Sequence, residues 1–434
     1  MSLQFIFGNS GSGKSDFLYD SVLKQAKENK EQQFLIIVPE QFTMQTQREL
    51  VELHPNRGIL NIDVVSFERL AYKVFEELGG GNRPVLDDTG KNLIVRRVLE
   101  KEKKKLDYFG SSIEKTGFVS ELKSVISELL QYGITPQQLG EIGENVKEKQ
   151  QLSAKLKDIR LVYEEFMAFL STNYITSEEI LDVLCGLVEK SKLIAGSEII
   201  FDGFTGFTPI QYKLMRLLLV YSKGIKISVT IDKKERPTGH EGWNNLFFMS
   251  KEMMNRLIAI CEEEGINVDD TVCVDRDINY RYEGAKDLAY LERNLFRYKG
   301  GVYTGTPENI RIYEGSNPKE ELQYIVSEIL QLTRKEGFRY RDIAVVTADL
   351  ETYGKVAANM MKQNDIPAFL DYKRSVASNP YVEMLCSALE IVEKGYPYDT
   401  MFRYLRTGLT GISRHDIDML ENYCLAVGIR GSRA

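Results

Sequence analysis

Eight residues near the amino terminus have the types and the spacing needed to bind phosphate. They match the pattern GxxxxGK[ST] and are Gly8, Asn9, Ser10, Gly11, Ser12, Gly13, Lys14 and Ser15. Glycines allow such a loop to turn its backbone amides inward around phosphate oxygens, and the following helix presents its positive end to the same anion. Lys14 would neutralise the β- and γ-phosphates, and the Ser15 hydroxyl would ligate Mg²⁺. The motif predicts a site for ATP and Mg²⁺, with a chance glycine-rich turn as the alternative.

An apolar segment that ends in an aspartate supplies the second half of such a site. Residues 199–201 form a strand-like run, after which the Asp202 carboxylate would hold Mg²⁺ directly or through water. P-loop enzymes that hydrolyse the nucleotide usually place a glutamate next, but this chain has Gly203. Glycine offers no base, and Thr205 is a poor substitute. The pattern favours binding over hydrolysis and assigns no catalytic residue; an aspartate that only caps a strand is the alternative.

Two segments with mixed polar and aromatic side chains follow the second and third predicted strands. Residues 38–44 and 66–72 begin at the carboxyl ends of these strands, where open α/β sheets bind ligands. Their amides, hydroxyls, arginine and aromatic rings together suit single-stranded nucleic acid. Aromatic rings packed under neighbouring helices are the alternative. The basic stretch 91–105 is more typical of a solvated helix face than of a surface that contacts duplex DNA.

The composition is that of a globular chain without export or membrane signals. Of 434 residues, 43% are hydrophobic and 27% charged, which predicts two or three domains with real cores. The net charge of −7 argues against coating nucleic acid by bulk attraction. Five cysteines without CxxC spacing, and only three histidines, are typical of reduced thiols without a histidine metal site. With no signal peptide, we expect a cytoplasmic protein with no membrane partner.

Apolar segments alternate with helix-length polar segments, as is typical of a parallel α/β sheet. Predicted strands cover residues 3–7, 34–38, 60–65, 198–201 and 225–231. Between about 87 and 192, Leu, Ile and Val recur at three- and four-residue spacing, which predicts a helical insertion. A second α/β pattern follows, with strands predicted at 310–313, 343–347 and 368–371 and helices at 318–335, 350–364 and beyond 380. The unpacked ending predicts a piece of a longer chain.

Taken together, the motifs resemble a known family, AddB, which contributes one of the two subunits of the bacterial AddAB (RexAB) helicase/deoxyribonuclease. The similarity to its N-terminal part covers essentially all 434 residues and rests on the P-loop, VPEQFTMQTQREL, SFERLAYKVFEELGG, IIFDGFTGFTP, RYRDIAVVT and LENYCLAVGIRG. The resemblance implies an α/β fold with a P-loop RecA-like, superfamily 1 helicase-like domain at 1–85 and 195–300. It also implies a helical insertion at 86–194 and a second, incomplete RecA-like domain at 305–434 with the start of another helical insertion.

The resemblance also bears on the nucleotide site. Compared with the usual motif II of these helicases, Asp202 matches the magnesium aspartate and Gln211 the later glutamine. Gly203 stands where the glutamate belongs, and a leading glutamine that grips adenine is missing. These departures suit AddB-type proteins, which resemble helicases without being the main motor.

The function implied by the resemblance is DNA processing. With AddA as a heterodimer, the family resects double-strand ends for recombinational repair and reads a hotspot in the emerging single strand. The residues implied to contact that strand are Gln41, Thr43, Phe67, Arg69, Tyr72 and Phe207. The family's nuclease domain, with its cysteine-bound 4Fe–4S cluster, would lie outside this chain. A stand-alone P-loop kinase for a small metabolite and a scaffold with a vestigial P-loop are the alternatives.

Overall fold

The computed structural model describes all residues except 56, 80–83, 116, 147–148, 177, 236–241, 275, 277, 298–299, 372–375, 430 and 432–434, and the side chains of 171–173. The chain divides into two compact units, Met1–Ile310 and Arg311–Ala434. Within these described residues, no helix combines the length and the apolar character needed to span a membrane.

A parallel sheet forms the centre of the first unit. The strands of this unit are β1 (Ser2–Gly8), β2 (Gln33–Ile37), β3 (Ile62–Val65), β4 (Val85–Leu86), β5 (Ile175–Thr176), β6 (Ser197–Phe201), β7 (Gly224–Thr230), β8 (Asn267–Val268) and β9 (Val272–Cys273). Seven of them form one sheet in the order β3-β2-β6-β7-β1-β8, with β9 also paired to β1, and every pairing is parallel. The five predicted strands are present to within two residues, which confirms the α/β prediction.

Helices connect these strands. In the first unit they are α1 (Lys14–Glu28), α2 (Thr43–Leu53), α3 (Phe67–Leu78), α4 (Asp88–Glu102), α5 (Phe118–Gln131), α6 (Pro136–Asn145), α7 (Gln150–Asn173), α8 (Ile180–Cys185), α9 (Lys192–Gly196), α10 (Pro209–Tyr221), α11 (Phe248–Glu264) and α12 (Lys286–Asn294). Short 3₁₀ turns occur at Glu40–Phe42, Lys103–Lys105, Val188–Lys190 and Tyr280–Tyr282.

Both faces of the sheet are covered, which explains the unbroken apolar runs of its strands. Successive side chains of a strand point to opposite faces. In β2, Leu35 and Ile37 accordingly join the core beneath α3, α8, α10 and α11, whereas Phe34 and Ile36 join the core beneath α1 and α2. All four are at most 1% exposed. An alternating polar pattern would leave one of these cores unfilled.

The segment between β4 and β5 forms a helical region with its own core. Side chains from α4, α5, α6 and α7 pack together there, and β4 pairs with β5 where the region begins and ends. At this base, Lys91 is only 2% exposed and its ammonium lies 2.8 Å from both carboxylate oxygens of Glu178. The basic stretch is therefore not wholly a solvated face, because its first lysine is buried in an ion pair.

The second unit contains helices but no strand among its described residues. Its helices are α13 (Pro318–Lys335), α14 (Leu350–Gln363), α15 (Pro380–Lys394), α16 (Tyr398–Leu405) and α17 (Arg414–Val427), with a 3₁₀ turn at Tyr340–Asp342. The predicted helices are confirmed. The predicted strands at 310–313, 343–347 and 368–371 are wrong for this structure, because these segments lack the hydrogen-bonded neighbours that define a strand.

Candidate functional site

The loop between β1 and α1 is shaped by its glycines. Gly11 and Gly13 have φ angles of 74° and 89°, a region that side chains with a Cβ rarely adopt. A Cβ built on Gly8 would lie 2.3 Å from the Ser12 hydroxyl and 2.9 Å from Cγ of Lys14. The glycines therefore permit a tight turn that leaves no room for a Cβ at Gly8.

Polar groups of this loop are arranged to receive an anion. The Ser12 hydroxyl is buried, and no hydrogen-bond partner for it exists among the residues described. Because burying an unpaired hydroxyl is costly, an oxygen-rich ligand at this position would relieve that cost. Lys14, the first residue of α1, donates from Nζ to the carbonyl oxygen of Asn9 at 3.0 Å, which keeps its ammonium on the loop. Together with the glycine turn, these groups fit a polyphosphate.

A second segment, which the motifs of the sequence did not reveal, lies directly on this loop. The backbone N–H of Arg281 donates to the carbonyl oxygen of Gly11, and its guanidinium donates to the Ser10 hydroxyl, both at 3.3 Å. A Cβ on Gly13 would come within 3.3 Å of the Tyr280 ring, and the Arg276 guanidinium lies 3.7 Å from that ring's centre. The Tyr-Arg-Tyr run at residues 280–282 was the available signal, but the sequence alone could not show that it contacts a loop so distant in the chain.

Asp202 follows β6, as expected, and its carboxylate is enclosed. The residue is 7% exposed. One carboxylate oxygen accepts from the Tyr19 hydroxyl at 2.8 Å and the other accepts from Ser228. Burial, together with the charge of Asp202, raises the pKa of Tyr19 well above its usual range, so this hydroxyl keeps its proton. Gly203 carries no side chain that could act as a base, and its N–H donates to Ser228.

The described residues contain no group of three His, Cys, Asp or Glu side chains that could hold a metal ion by themselves. A Mg²⁺ ion at this site would therefore depend on few protein groups. Asp202 and Ser15 are the protein oxygens in question, and phosphate oxygens would complete the set. That donor set is the usual one for Mg²⁺ bound together with a nucleotide, since this ion retains several waters.

The six residues predicted to contact single-stranded DNA follow three adjacent strands, β3, β2 and β6, but differ in exposure. Gln41, Arg69 and Tyr72 are exposed, and the Arg69 guanidinium lies 3.3 Å from Glu40. Thr43 is buried, with its hydroxyl donating to the carbonyl oxygen of Glu40. Exposure thus favours three of the six as direct contacts.

The two phenylalanines of this set are packed in an aromatic cluster. Phe67 is only 7% exposed, and its ring centre lies within about 6 Å of those of Phe201, Phe204 and Phe207. Phe207 is half-buried in the same cluster. A base cannot stack on the Phe67 ring in this arrangement, because neighbouring rings already cover it. Phe67 therefore packs beneath the exposed residues of this set and is not itself available for stacking.

Comparisons with known proteins identify the family. A sequence model of the family described as "ADDB, N-terminal" matches residues 5–292. A relative from Lachnoclostridium phytofermentans, named as the B subunit of an ATP-dependent helicase/deoxyribonuclease, is 42% identical over 99% of this chain and 38% of its own length. Relatives with the same name from Clostridium novyi and Symbiobacterium thermophilum are 36% and 37% identical over 100% and 99% of this chain and 38% and 37% of their own lengths.

This chain spans little more than a third of the length of these relatives, 37–38%. The match nevertheless includes the glycine-rich loop between β1 and α1, Asp202 and the Arg281 segment, since all three lie within residues 5–292. Because the family model covers more than half of the chain, this protein belongs to the AddB N-terminal family.

Proposed function

We propose that this chain is the nucleotide-binding, helicase-like part of an AddB protein, with a RecA-like first domain. ATP would be held by the loop from Gly8 to Ser15, and Mg²⁺ by Ser15 and Asp202. The observation that carries the proposal is the glycine turn, with positive φ at Gly11 and Gly13, that joins a buried parallel strand to a helix. Lys14 and the unpartnered Ser12 hydroxyl add the polar groups that a polyphosphate needs.

Arg281 and Tyr280 extend this proposed site. The Arg281 guanidinium, already hydrogen-bonded to Ser10, would meet phosphate oxygens, and the Tyr280 ring offers a face to the base. The bound nucleotide would add negative charge and would fill space at the carboxyl ends of the strands. The chain's own residues would bind it, orient it and exclude water from Asp202.

Hydrolysis is not part of the proposal for this chain. Gly203 occupies the position after the buried aspartate, and its N–H contacts the hydroxyl of Ser228 rather than a carboxylate. Because glycine supplies no general base at the position after Asp202, water next to a bound nucleotide would not be activated by this route. We therefore propose that ATP acts as a bound ligand that is turned over slowly or not at all.

The DNA-related part of the proposal rests on the family and on surface residues. The relatives' name implies ATP-dependent action on DNA and a partner subunit, which we propose to be AddA, in the cytoplasm. Gln41, Arg69 and Tyr72 are exposed beyond adjacent strands and would contact single-stranded DNA emerging from a double-strand end, with Thr43 and Phe207 beside them. The nuclease domain and its 4Fe–4S cluster would lie in the part of the relatives that this chain does not cover.

Binding of a fluorescent ATP analogue with Mg²⁺ tests the nucleotide site. Lys14→Ala should weaken binding by about 10- to 150-fold, because hydrogen bonds to charged groups contribute about 1.5–3 kcal/mol. Lys24→Ala is the matched control, since Lys24 lies on the same helix with its side chain 70% exposed, and it should bind as the unaltered chain does.

Three outcomes would count against parts of this proposal. Equal affinity of Lys14→Ala and Lys24→Ala would show that the loop does not hold the nucleotide. A melting temperature unaffected by ATP would favour the scaffold with a vestigial loop. Phosphoryl transfer to a panel of nucleosides would favour the kinase, and rapid DNA-stimulated hydrolysis by this chain would contradict the role given to Gly203.

A further inference from the structure

Tyr19 connects the proposed magnesium site to the helix beside the proposed DNA surface. It lies on α1 four residues after Ser15, so both side chains are on the same face of that helix. The ring is buried between α1 and the sheet, with 3% of the residue exposed. Its hydroxyl reaches the carboxylate of Asp202 at 2.8 Å and lies 3.4 Å from the hydroxyl of Thr46 on α2. One buried oxygen therefore touches two separate elements.

The carboxylate of Asp202 is held only by uncharged groups in the described structure. Among the described residues, Tyr19 donates to one oxygen and Ser228 to the other. A buried carboxylate without a cationic partner is costly, and hydrogen bonds from neutral hydroxyls offset that cost only in part. Its orientation is nevertheless fixed, because each of its two oxygens accepts a bond. This arrangement suits a carboxylate that is already oriented for a cation before the cation binds.

The hydroxyl of Tyr19 has a single proton and can donate to one acceptor at a time. Asp202 is the nearer acceptor, so the Tyr19 hydroxyl donates its proton to Asp202 and can accept a proton from the Thr46 hydroxyl. Tyr19 can donate to Thr46 only when its bond to Asp202 is broken. A cation that draws charge from Asp202 weakens the Tyr19–Asp202 bond and thereby favours the bond to Thr46. Helix α2 begins at Thr43, directly after the turn Glu40–Phe42 that carries Gln41.

We infer that Tyr19 is a positioning residue that orients Asp202 for Mg²⁺ and links the occupancy of that site to helix α2. The inference rests on the proposed nucleotide function and adds a residue to it that touches neither the nucleotide nor DNA. Tyr19 acts through Asp202 on one side and through Thr46 on the other.

The test compares binding of the ATP analogue with Mg²⁺ and with EDTA. Tyr19→Phe keeps the ring and removes only the hydroxyl. We expect it to weaken Mg²⁺-dependent binding by up to about tenfold, because the Asp202 carboxylate is then no longer held in one orientation and must be ordered on binding, a cost that exceeds the loss of an already weakened bond. Binding in EDTA should stay within about twofold of that of the unaltered chain, because Lys14 and the loop amides are intact. Ser228→Ala, which removes the other hydroxyl donor to Asp202, should show the same selective loss.

Tyr163→Phe is the matched control. Tyr163 is also buried, and its hydroxyl donates to the carbonyl oxygen of Ile134 in the helical region, away from Asp202. It should leave both binding constants unchanged. A Tyr19→Phe chain that binds the Mg²⁺ complex normally, or that loses affinity equally in EDTA, would overturn the role of Tyr19. A chain that binds no nucleotide even without substitution would instead remove the proposed function and this inference with it.

Hydrogen exchange tests the link to α2. Adding the ATP analogue with Mg²⁺ to the unaltered chain should change exchange of the amides of Thr43–Leu53, and this response should be lost in Tyr19→Phe. Thr46→Val should also lose the response while keeping Mg²⁺-dependent affinity within about twofold, because the bond from Tyr19 to Asp202 remains. A response of α2 that survives both substitutions would refute the link.

Discussion

Similar apolar segments are buried in the first unit of this chain and exposed in the second. In Met1–Ile310, the β2 residues Leu35, Ile36 and Ile37 are 0% exposed, with a strand on each side and helices above and below. In Arg311–Ala434, Ile312, Val346 and Phe369 are 96%, 92% and 90% exposed. Apolar content is thus shared by both units, whereas lateral strand neighbours are present in only the first, among the residues described. An apolar segment becomes a buried strand only if neighbouring strands form hydrogen bonds along its edges.

Helix packing is present in both units and does not explain the difference. Helices α13 and α14 share a core built around Leu322, Ile329 and Met361. Beside it lies an apolar groove of about 920 Å³, lined in part by residues 343–348 and 366–370. In the first unit, the corresponding space under α3 and α10 is filled by strand side chains such as Ile199 and Phe201. Strand side chains, rather than further helices, therefore fill the space beneath the helices.

The largest expected contrast comes from the same substitution in both units. Phe201→Ala removes a ring that is 0% exposed and should lower the free energy of unfolding by about 3–5 kcal/mol. Phe369→Ala removes a ring that is 90% exposed and should change it by less than about 0.5 kcal/mol. Urea unfolding followed by circular dichroism measures both. Comparable losses would mean that the second unit is as well packed as the first.

A smaller contrast is expected for ion pairs. Lys91→Met should destabilise the first unit by about 3 kcal/mol, because it leaves the carboxylate of Glu178, itself only 17% exposed, without its cation. Arg311→Met breaks the pair with Glu328 in the second unit, but Arg311 is 56% exposed, so the loss should be at most about 1 kcal/mol. Thermal unfolding of the two variants side by side provides the measurement. If Lys91→Met were as mild as Arg311→Met, burial would not distinguish the two pairs.

The smallest expected effect concerns the last residues of the first unit. Hydrogen bonds from the backbone and side-chain amides of Asn309 lower the pKa of Asp287 from 3.8 to about 2, and the N–H of Glu308 donates to the same carboxylate. Because the folded pKa is below the unfolded value, this contribution to stability is complete above about pH 4 and is lost as the pH falls towards 2. An NMR titration should show the Asn309 amide shifting with a midpoint near pH 2.

Two controls define this titration. Asp287→Asn should remove the transition, whereas Asp20→Asn, at an exposed carboxylate on α1, should leave it unchanged. If the units are independent, amides of α13 and α14 should not respond at the same midpoint. A shared midpoint in both units would contradict the separation on which the comparison depends.

Much of the fold could be predicted because the signals for it are local. The glycine-rich loop lies within eight consecutive residues, and the positive φ angles of Gly11 and Gly13 are set by the backbone conformation of the loop itself. Buried strands show unbroken apolar runs, and helices such as Pro318–Lys335 show their period over many turns, so their positions were predicted closely. The same local rule failed at residues 343–347, because an apolar run indicates a strand only when neighbours exist.

The sequence by itself determined the glycine-rich loop between β1 and α1, the alternation of parallel strands with helices, and the family. Only the tertiary structure decided which distant side chains meet. Arg281 lies on Gly11, Tyr19 bonds to Asp202 across 183 residues, and Phe67 is buried where a stacking ring was predicted. The physical reason is that periodicity and backbone conformation act over a few residues, whereas burial and hydrogen-bond partners depend on how separate elements pack.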